Sequence, residues 1–338
     1  MPITFFSPAP FKLTITCRLT TAAFRRTNEG AAWYIKPMAD VVIPYVKDLR
    51  FEYGVLEQVS PNVRRLIARN PSPFTYAGTG TYVVGHGRVA VIDPGPDSPE
   101  HIENLLAALG SETVSHILIT HTHLDHSPGA RLLVERTGAT TYGFGPHARS
   151  QRDDGVKVEE GADFAFTPDE RLTDGAVISG PDYEIEAVHT PGHCSNHLCF
   201  QLQNDKTLFS GDHVMGWSTS VISPPDGNMA DYLRSLALLL ERDDERYFPT
   251  HGAPITKPKR LVESFIAHRQ AREEQILQCL AQGTTTIREM VPKMYVGVNP
   301  VLYPAAARSV FAHVLHMIEE GKVQTEGEPT LGGTYRLG

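Results

Sequence analysis

The sequence predicts an α/β fold followed by a small, mostly helical module, and two observations carry this prediction. Between about residues 54 and 240, short apolar runs typical of strands alternate with amphipathic segments typical of helices. After Pro258 the pattern changes to three helices and a glycine-rich hairpin. A chain of 338 residues is long enough for one large domain and one small one.

The individual elements follow from apolar periodicity and from the turn residues between the runs. Strands are predicted near residues 54–59, 80–84, 88–92, 116–120, 140–143, 176–178, 184–188, 197–202 and 207–209. Helices are predicted at 99–109, 128–135 and 231–240. Ser98 is a plausible N-cap for the first of these helices, with Pro99 at its first position.

The C-terminal module should contain a long helix at 261–281, a second helix beginning near Thr286, a third at 305–320 and a hairpin at 322–337. This order is similar to that of a winged helix. From residue 259 onward, nine Lys or Arg stand against eight Asp or Glu, a balance of +1 that gives no strong DNA-binding signal. We expect the module to form a lid or wall beside a cleft. His268 and Arg269 lie mid-helix, where a capping or interdomain hydrogen bond is a better expectation than catalysis.

The densest group of metal-ligand residue types is H-T-H-L-D-H at 121–126, directly after the predicted strand 116–120. In H-x-H both imidazoles lie on the same side of an extended segment, because side chains alternate with period two. The side chains of Asp125 and His126, which follow, can only turn toward a second point close to the one that the first two imidazoles face. One short loop could therefore hold two metal ions, and imidazole plus carboxylate suits zinc, iron or manganese.

Three later loops place a residue of the same kind after an apolar run and beside Gly or Pro. They are T-P-G-H at 190–193, S-G-D at 210–212 and T-H-G at 250–252. Open α/β sheets bind ligands at the carboxyl ends of their strands. Four such loops in one chain predict a metal centre at that edge.

This motif series resembles that of the metallo-beta-lactamase superfamily. N-P-S-P-F-T at 70–75, G-T-G-T-Y at 78–82 and V-I-D-P-G at 91–95 are similar to one subgroup, which carries a C-terminal winged helix and includes an animal endoribonuclease and fungal thioesterases. One departure is Gly80, where the subgroup usually has Asn. The resemblance implies a four-layer αββα sandwich over residues 38–257 and a winged-helix-like domain over 258–338.

The resemblance also implies the ligand set and the cofactors. His121, His123 and His193 correspond to a first metal site, and Asp125, His126 and His251 to a second. Asp212 corresponds to the carboxylate that bridges both. We expect two divalent ions, zinc first and iron or manganese as alternatives.

A metal-bridging hydroxide is the nucleophile that such a centre provides at neutral pH. Asp125 is the expected catalytic residue, because it can accept a hydrogen bond from that hydroxide while it binds the second ion. His197, four residues after His193, is a candidate substrate contact.

The substrate stays open between three hypotheses. The chain is either an endoribonuclease on single-stranded RNA or a hydrolase of a small substrate, such as a thioester, a glyoxalase II-type ester, a lactone or a β-lactam. The net charge of −8 favours the small substrate. The third hypothesis is a winged-helix nucleic-acid-binding protein with an inactive metal site, which the complete ligand set disfavours. The sequence says nothing of the oligomeric state.

Location is inferred from composition. No apolar run approaches the roughly 18 residues that span a bilayer, so no membrane partner is expected. Four scattered cysteines suggest a reducing, cytoplasmic compartment. Residues 1–37 carry five Lys or Arg against one Glu, a charge of +4 that resembles a mitochondrial transit peptide. The competing interpretation is a disordered extension with Met38 as the true start.

Overall fold

The computed structural model describes residues 41–148 and 161–338, so the predictions for residues 1–37 lie outside the described residues. The strands are β1 Glu57–Ser60, β2 Val63–Ile67, β3 Gly80–Val84, β4 Arg88–Ile92, β5 Thr113–Leu118, β6 Thr140–Gly143, β7 Glu170–Arg171, β8 Val177–Ser179, β9 Glu184–His189, β10 Leu198–Leu202, β11 Thr207–Gly211, β12 Arg246–Pro249, β13 Val323–Thr325 and β14 Tyr335–Leu337. The helices are α1 Pro99–Leu109, α2 Gly129–Thr137, α3 Met229–Glu241, α4 Pro258–Ala281, α5 Ile287–Met294 and α6 Tyr303–Glu319.

Two sheets form the centre of the main domain. The first has the strand order β1 to β7, antiparallel up to β4 and parallel from β4 onward. The second has the order β12-β11-β10-β9-β8, and only β11 and β12 are parallel. Each sheet therefore contains parallel strands. The carboxyl ends of parallel strands lie at the same edge of a sheet, so the loops that follow them can bring ligand residues together.

Three apolar clusters give the domain its layers. Between the two sheets, Tyr82 and Phe248 stack with their ring centroids 5.6 Å apart. On the outer face of the first sheet, side chains of α1 and α2 such as Leu105 and Leu133 are fully buried. On the outer face of the second sheet, α3 and α4 pack in the same way. The order helix, sheet, sheet, helix confirms the predicted αββα sandwich.

The C-terminal domain has its own core, built from α4, α5, α6 and the β13–β14 hairpin. Helix α5 begins after Thr286, whose hydroxyl caps it by accepting a hydrogen bond from the Glu289 backbone N–H. Helix α4 begins at Pro258, and it packs against both α3 and α6. The boundary between the domains at residue 258 stays a prediction.

One helical stretch among the described residues, Pro300–Glu319, is long and apolar enough by length and composition to cross a membrane, with a mean hydropathy of 1.2. Its side chains Val310, Val314 and Met317 are fully buried in the C-terminal core. We therefore interpret it as the central helix of this domain.

Candidate metal centre

The structure brings all seven predicted ligand residues together, from four loops. The first group contains His121 and His123, which follow β5, and His193, which follows β9. The Nδ1 atom of His123 lies 3.0 Å from His121 Nε2 and 3.2 Å from His193 Nε2. Three imidazole nitrogens therefore converge on one point, which is the donor set that zinc accepts in many proteins.

The second group contains Asp125, His126 and His251, the last of which follows β12. The Oδ2 atom of Asp125 lies 3.3 Å from His126 Nε2 and 3.1 Å from His251 Nε2. All three residues are buried. Two imidazoles and a carboxylate facing one another form a second possible metal-binding group.

Asp212, directly after β11, lies between the two groups. Its Oδ1 atom is 3.4 Å from His251 Nε2, whereas its Oδ2 atom is 3.6 Å from His126 Nε2 and 3.9 Å from His193 Nε2. One carboxylate thus faces residues of both groups, the position that a bridging ligand requires.

The polar atoms of the site fit a bound cation. The His126 Nε2 and Asp212 Oδ1 atoms are buried and have no hydrogen bond of acceptable geometry within the part of the chain that the structure describes. Such orphaned atoms are costly unless a ligand binds them. His193 and His251 direct their Nδ1 atoms to the carbonyl oxygens of Val221 and Gly78, at 2.7 and 3.2 Å. This arrangement turns both Nε2 atoms toward the centre.

The pKa values of two histidines in the first group favour the neutral imidazole, which can donate a lone pair to a metal. Burial, helped by the neighbouring imidazoles, lowers the pKa of His121 and of His123 well below 6.5. Both rings are therefore neutral at physiological pH, which is the state in which imidazole binds a metal.

The second group carries protons that a cation would displace. Burial lowers the pKa of His126 and His251, but Asp125 and Asp212 outweigh it. They raise the pKa of His126 well above 6.5 and that of His251 to about 10. Metal binding at this group is therefore expected to release protons.

Asp93, immediately after β4, is a site residue to which the sequence analysis gave no role. Its Oδ2 atom accepts hydrogen bonds from His126 Nδ1 at 2.9 Å, from Thr120 Oγ1 at 2.7 Å and from Thr250 Oγ1 at 3.1 Å. Asp93 thus fixes the His126 ring and joins the loops that follow β5 and β12. The signal that could have found it is V-I-D-P-G, an acidic residue between a buried strand and a Pro-Gly turn.

The structure places His197 in a different role from the substrate contact predicted for it. The ring is fully buried. Its Nε2 atom accepts a hydrogen bond from the Asp212 backbone N–H at 3.2 Å, and its Nδ1 atom lies 2.9 Å from Thr190 Oγ1. His197 therefore holds the backbone of the bridging residue and presents no nitrogen to a substrate.

A small cavity opens directly onto the ligands. Phe74, Met215 and Val221 line it together with five of the predicted ligands. A larger groove of about 740 Å³ lies between α6 and residues 224–229 at the start of α3, and none of the seven ligands lines it. We therefore place the chemistry at the smaller, metal-facing cavity, where the protein contributes an apolar wall.

Comparison with known proteins agrees with this architecture. Residues 76–251 match the metallo-beta-lactamase superfamily, and residues 286–333 match the beta-lactamase associated winged helix domain. The beta-lactamase-like protein 2 homolog of Drosophila melanogaster is 33% identical over 79% of this chain and 91% of its own length. A lactamase-like protein of Aspergillus sp. (strain MF297-2) is 30% identical over 80% of this chain and 85% of its own length.

A further relative is an atrochrysone carboxyl ACP thioesterase of Cryptosporiopsis sp. (strain 8999), 29% identical over 82% of this chain and 80% of its own length. Among solved structures, a beta-lactamase domain protein from Burkholderia ambifaria superposes with a TM-score of 0.72 at 20% identity, covering 86% of this chain and 96% of that one. A metallo-beta-lactamase family protein from Thermus thermophilus gives 0.67 at 21% identity, over 83% of this chain and 100% of that one. The chain belongs to the metallo-beta-lactamase superfamily of hydrolases and carries the associated winged helix at its C-terminal end.

Proposed function

We propose that this chain is a dinuclear, zinc-dependent hydrolase that cleaves a small ester or thioester. The observation that carries the proposal is the Asp212 carboxylate, which faces His193 with one oxygen and His251 with the other. A carboxylate in that position is suited to join two ions, and the remaining six ligands divide into three for each ion.

When bound, a pair of divalent ions lowers the pKa of water to about 7 and polarises the bond under attack. The protein contributes the rest. Although burial opposes ionisation, His126 and His251 hold the pKa of the Asp125 carboxyl well below its ordinary value. Asp125 therefore stays ionised, and its carboxylate can accept a hydrogen bond from an attacking water and orient it.

The preference for an acyl substrate rests on the wall of the cavity and on charge. Phe74, Met215 and Val221 offer apolar surface to the group beside the scissile carbonyl. The net charge of −8 disfavours a polyanion as the general partner. The thioesterase named among the relatives supports the same choice.

A second candidate is cleavage of single-stranded RNA, which the winged helix match at 286–333 favours. Many winged helices bind nucleic acid through a basic helix. In this domain, however, Arg308 of α6 is buried, and the module's charge balance is only +1. The candidate therefore ranks below the ester or thioester.

The discriminating experiment is a hydrolysis screen with zinc-loaded, full-length protein. Acyl thioesters, carboxylic esters, lactones, β-lactams and a labelled single-stranded RNA are tested with and without chelator. We expect chelator-sensitive hydrolysis of a thioester or an ester and little RNA cleavage. RNA cleavage without ester or thioester hydrolysis would replace the first candidate by the second, and inactivity of the zinc-loaded protein on every substrate would contradict both.

The bridging position provides the matched control for that screen. Asp212→Asn keeps the size of the side chain but removes the charge that would join two ions. We expect it to bind at least one ion fewer and to lose hydrolysis by a factor of at least about 100. His213→Ala, one residue away, should keep its metal content while it loses stability as a cavity-forming change. Equal metal loss in both variants, measured by elemental analysis, would contradict our assignment of the ligand in this loop.

A further inference from the structure

The ligand loop, residues 212–221, is held by contacts that lie outside the ligand set. Ser220 Oγ is 2.6 Å from the carbonyl oxygen of Asp212 and 2.7 Å from that of His213. The next residue, Val221, supplies the carbonyl that binds His193 Nδ1. Two metal-ligand residues, Asp212 and His193, therefore depend on the position of this one segment.

Arg269 reaches the ligand loop from the C-terminal side of the molecule. It lies in the middle of α4, is only 3% exposed, and donates a hydrogen bond from Nη2 to the Ser220 carbonyl at 2.6 Å. Its guanidinium lies 5.2 Å from the centre of the Tyr232 ring, and the Tyr232 hydroxyl donates to the His213 carbonyl at 3.1 Å. The cation and the aromatic ring thus hold the loop from two sides.

We infer that Arg269 is a positioning residue for the metal centre, acting through Ser220 on Asp212 and His193. The inference rests on the proposed function only in taking these two residues as metal ligands. It gives the C-terminal region a part in building the site, since the α4 helix that supplies Arg269 also packs in the C-terminal core. A charged donor is suited to this contact because its hydrogen bond to a carbonyl is stronger than a neutral one.

Arg272, one turn further along α4, is a matched control. It donates to the Met294 carbonyl at 3.0 Å and lies 4.1 Å from the centre of the Tyr295 ring. Both arginines therefore bind a carbonyl and an aromatic ring from the same helix. Only the Arg269 contacts lead to the ligand loop, so the pair separates a general loss of packing from a specific effect on the metal site.

The test compares zinc affinity in Arg269→Met and Arg272→Met, measured on metal-free, full-length proteins by competition with a chromophoric chelator. The unfolding midpoint of each metal-free protein is recorded in parallel. We expect Arg269→Met to bind zinc about 10–100-fold more weakly, the usual effect of removing a group that orients ligands. Arg272→Met should stay within about twofold of the unchanged protein, and Arg269→Lys should recover part of the affinity because it keeps a cationic donor.

Unchanged zinc affinity in Arg269→Met, or an equal loss in Arg272→Met, would overturn the inference. If Arg269→Met does not fold, the two lysine variants decide. A loss of zinc affinity that is larger in Arg269→Lys than in Arg272→Lys supports the positioning role, whereas equal affinities in the two assign Arg269 to the fold alone. Failure of the unchanged protein to bind zinc at all would instead contradict the proposed function, so the two failures are distinguishable.

Discussion

At the scale of single residues, Asp93 is held in a conformation that few side chains adopt. Its φ is 48°, in the left-handed region where Asp and Asn are tolerated better than most residues. The turn directs the carboxylate back toward the strand ends, where Oδ1 accepts from the Thr120 backbone N–H at 2.8 Å. Local strain at such a position is accepted where the surrounding contacts offset it.

Asp93→Asn should therefore weaken metal binding without disturbing the backbone. Asn tolerates the same φ, but its amide cannot serve as an anionic acceptor for His126 Nδ1. We expect zinc affinity to fall about 10–100-fold, as measured by chelator competition. Asp97→Asn, four residues away with an exposed side chain, is the control and should change nothing. An unchanged zinc affinity in Asp93→Asn would show that metal binding does not need the hydrogen bond from His126 Nδ1 to an anionic Asp93.

The parts of this site that can be predicted from the sequence are those whose residues lie close together along the chain. The six-residue run 121–126 contains four candidate ligands, so its motif alone suggested a two-ion site. The role of His197 could not be assigned from the sequence, because its partner Asp212 is brought next to it only by the pairing of strands β10 and β11. Gly211 shows the same limit: its φ is 52°, and an added Cβ would lie 2.4 Å from His197 Nε2, a constraint invisible without the packed sheets.

At the scale of elements, α4 and α6 are joined through a buried carboxylate, that of Glu273. Glu273 of α4 lies 2.8 Å from His316 Nδ1 and 3.4 Å from His313 Nδ1, both on α6. Lys322 approaches the same carboxylate at 4.0 Å and also pairs with Glu320 at 2.6 Å. Burial alone would raise the pKa of Glu273, but the hydrogen bonds from the two histidines lower it to about 2.

The pH dependence of this contact follows from the directions in which the pKa values of His316 and Glu273 are shifted. The hydrogen bond to Glu273 raises the pKa of His316, so its contribution to stability is full below the ordinary value of 6.5 and is lost as the pH rises. Glu273 has a lowered pKa, so its contribution is present above 4.5 and is lost as the pH falls toward 2. The pair therefore stabilises the fold most between about pH 4.5 and 6.5.

Glu273→Gln should accordingly cost more stability near pH 5.5 than near pH 8.5, by about 1 kcal/mol. Burial lowers the pKa of His313 to about 4 and of His268 to about 3, so the variant and the unchanged protein both lose stability in acid. The difference between them measures what the Glu273 carboxylate contributes through His313 and His316 together. Denaturant unfolding at the two pH values measures the difference. The exposed Glu263 of the same helix, changed to Gln, is the control. A cost that does not depend on pH would contradict the ion pair.

The elements that the sequence predicted well are those with a strong period and clear ends. Helix α1 begins after Ser98, whose hydroxyl accepts from the His101 N–H as the capping pattern predicts. Strand β2 was missed, because Arg64 and Arg65 interrupt its apolar run. Each arginine pairs with an acid outside its own strand: Arg64 binds Glu112, and Arg65 binds Glu57 of the neighbouring strand β1. Tertiary pairing of this kind hides a strand from any analysis of local polarity.

At the scale of the whole molecule, the segment 41–50 has no regular secondary structure but is attached to the site side of the domain. The Val46 N–H donates to the Gly216 carbonyl at 2.7 Å, and the Tyr76 hydroxyl donates to the Lys47 carbonyl at 2.9 Å. Trp217, next to Gly216, stacks on Tyr76 with 5.1 Å between ring centroids. These contacts support the outer part of the ligand loop.

A chain that begins at Met38 should therefore behave like the full chain, whereas one that begins at Phe51 should not. Removing residues 41–50 deletes both hydrogen bonds and exposes the Gly216 turn, so we expect the melting temperature to fall by roughly 3–6 °C. Thermal unfolding of the three proteins at equal zinc saturation is the measurement. A lower melting temperature for the Met38 chain would show that the first 37 residues contribute to stability.

Because the ligands come from four separate loops, the amount of folded protein should respond to the supply of metal in the cell. His121 and His251 are 130 positions apart in the chain, and their loops meet only after the two sheets have packed. In an unfolded chain the four loops are not held together, so the proposed zinc ions would bind the folded form far better and would protect it from unfolding by mass action. When zinc is scarce, more molecules would open and be degraded by proteases. Zinc availability would then control the abundance of this protein as well as its activity.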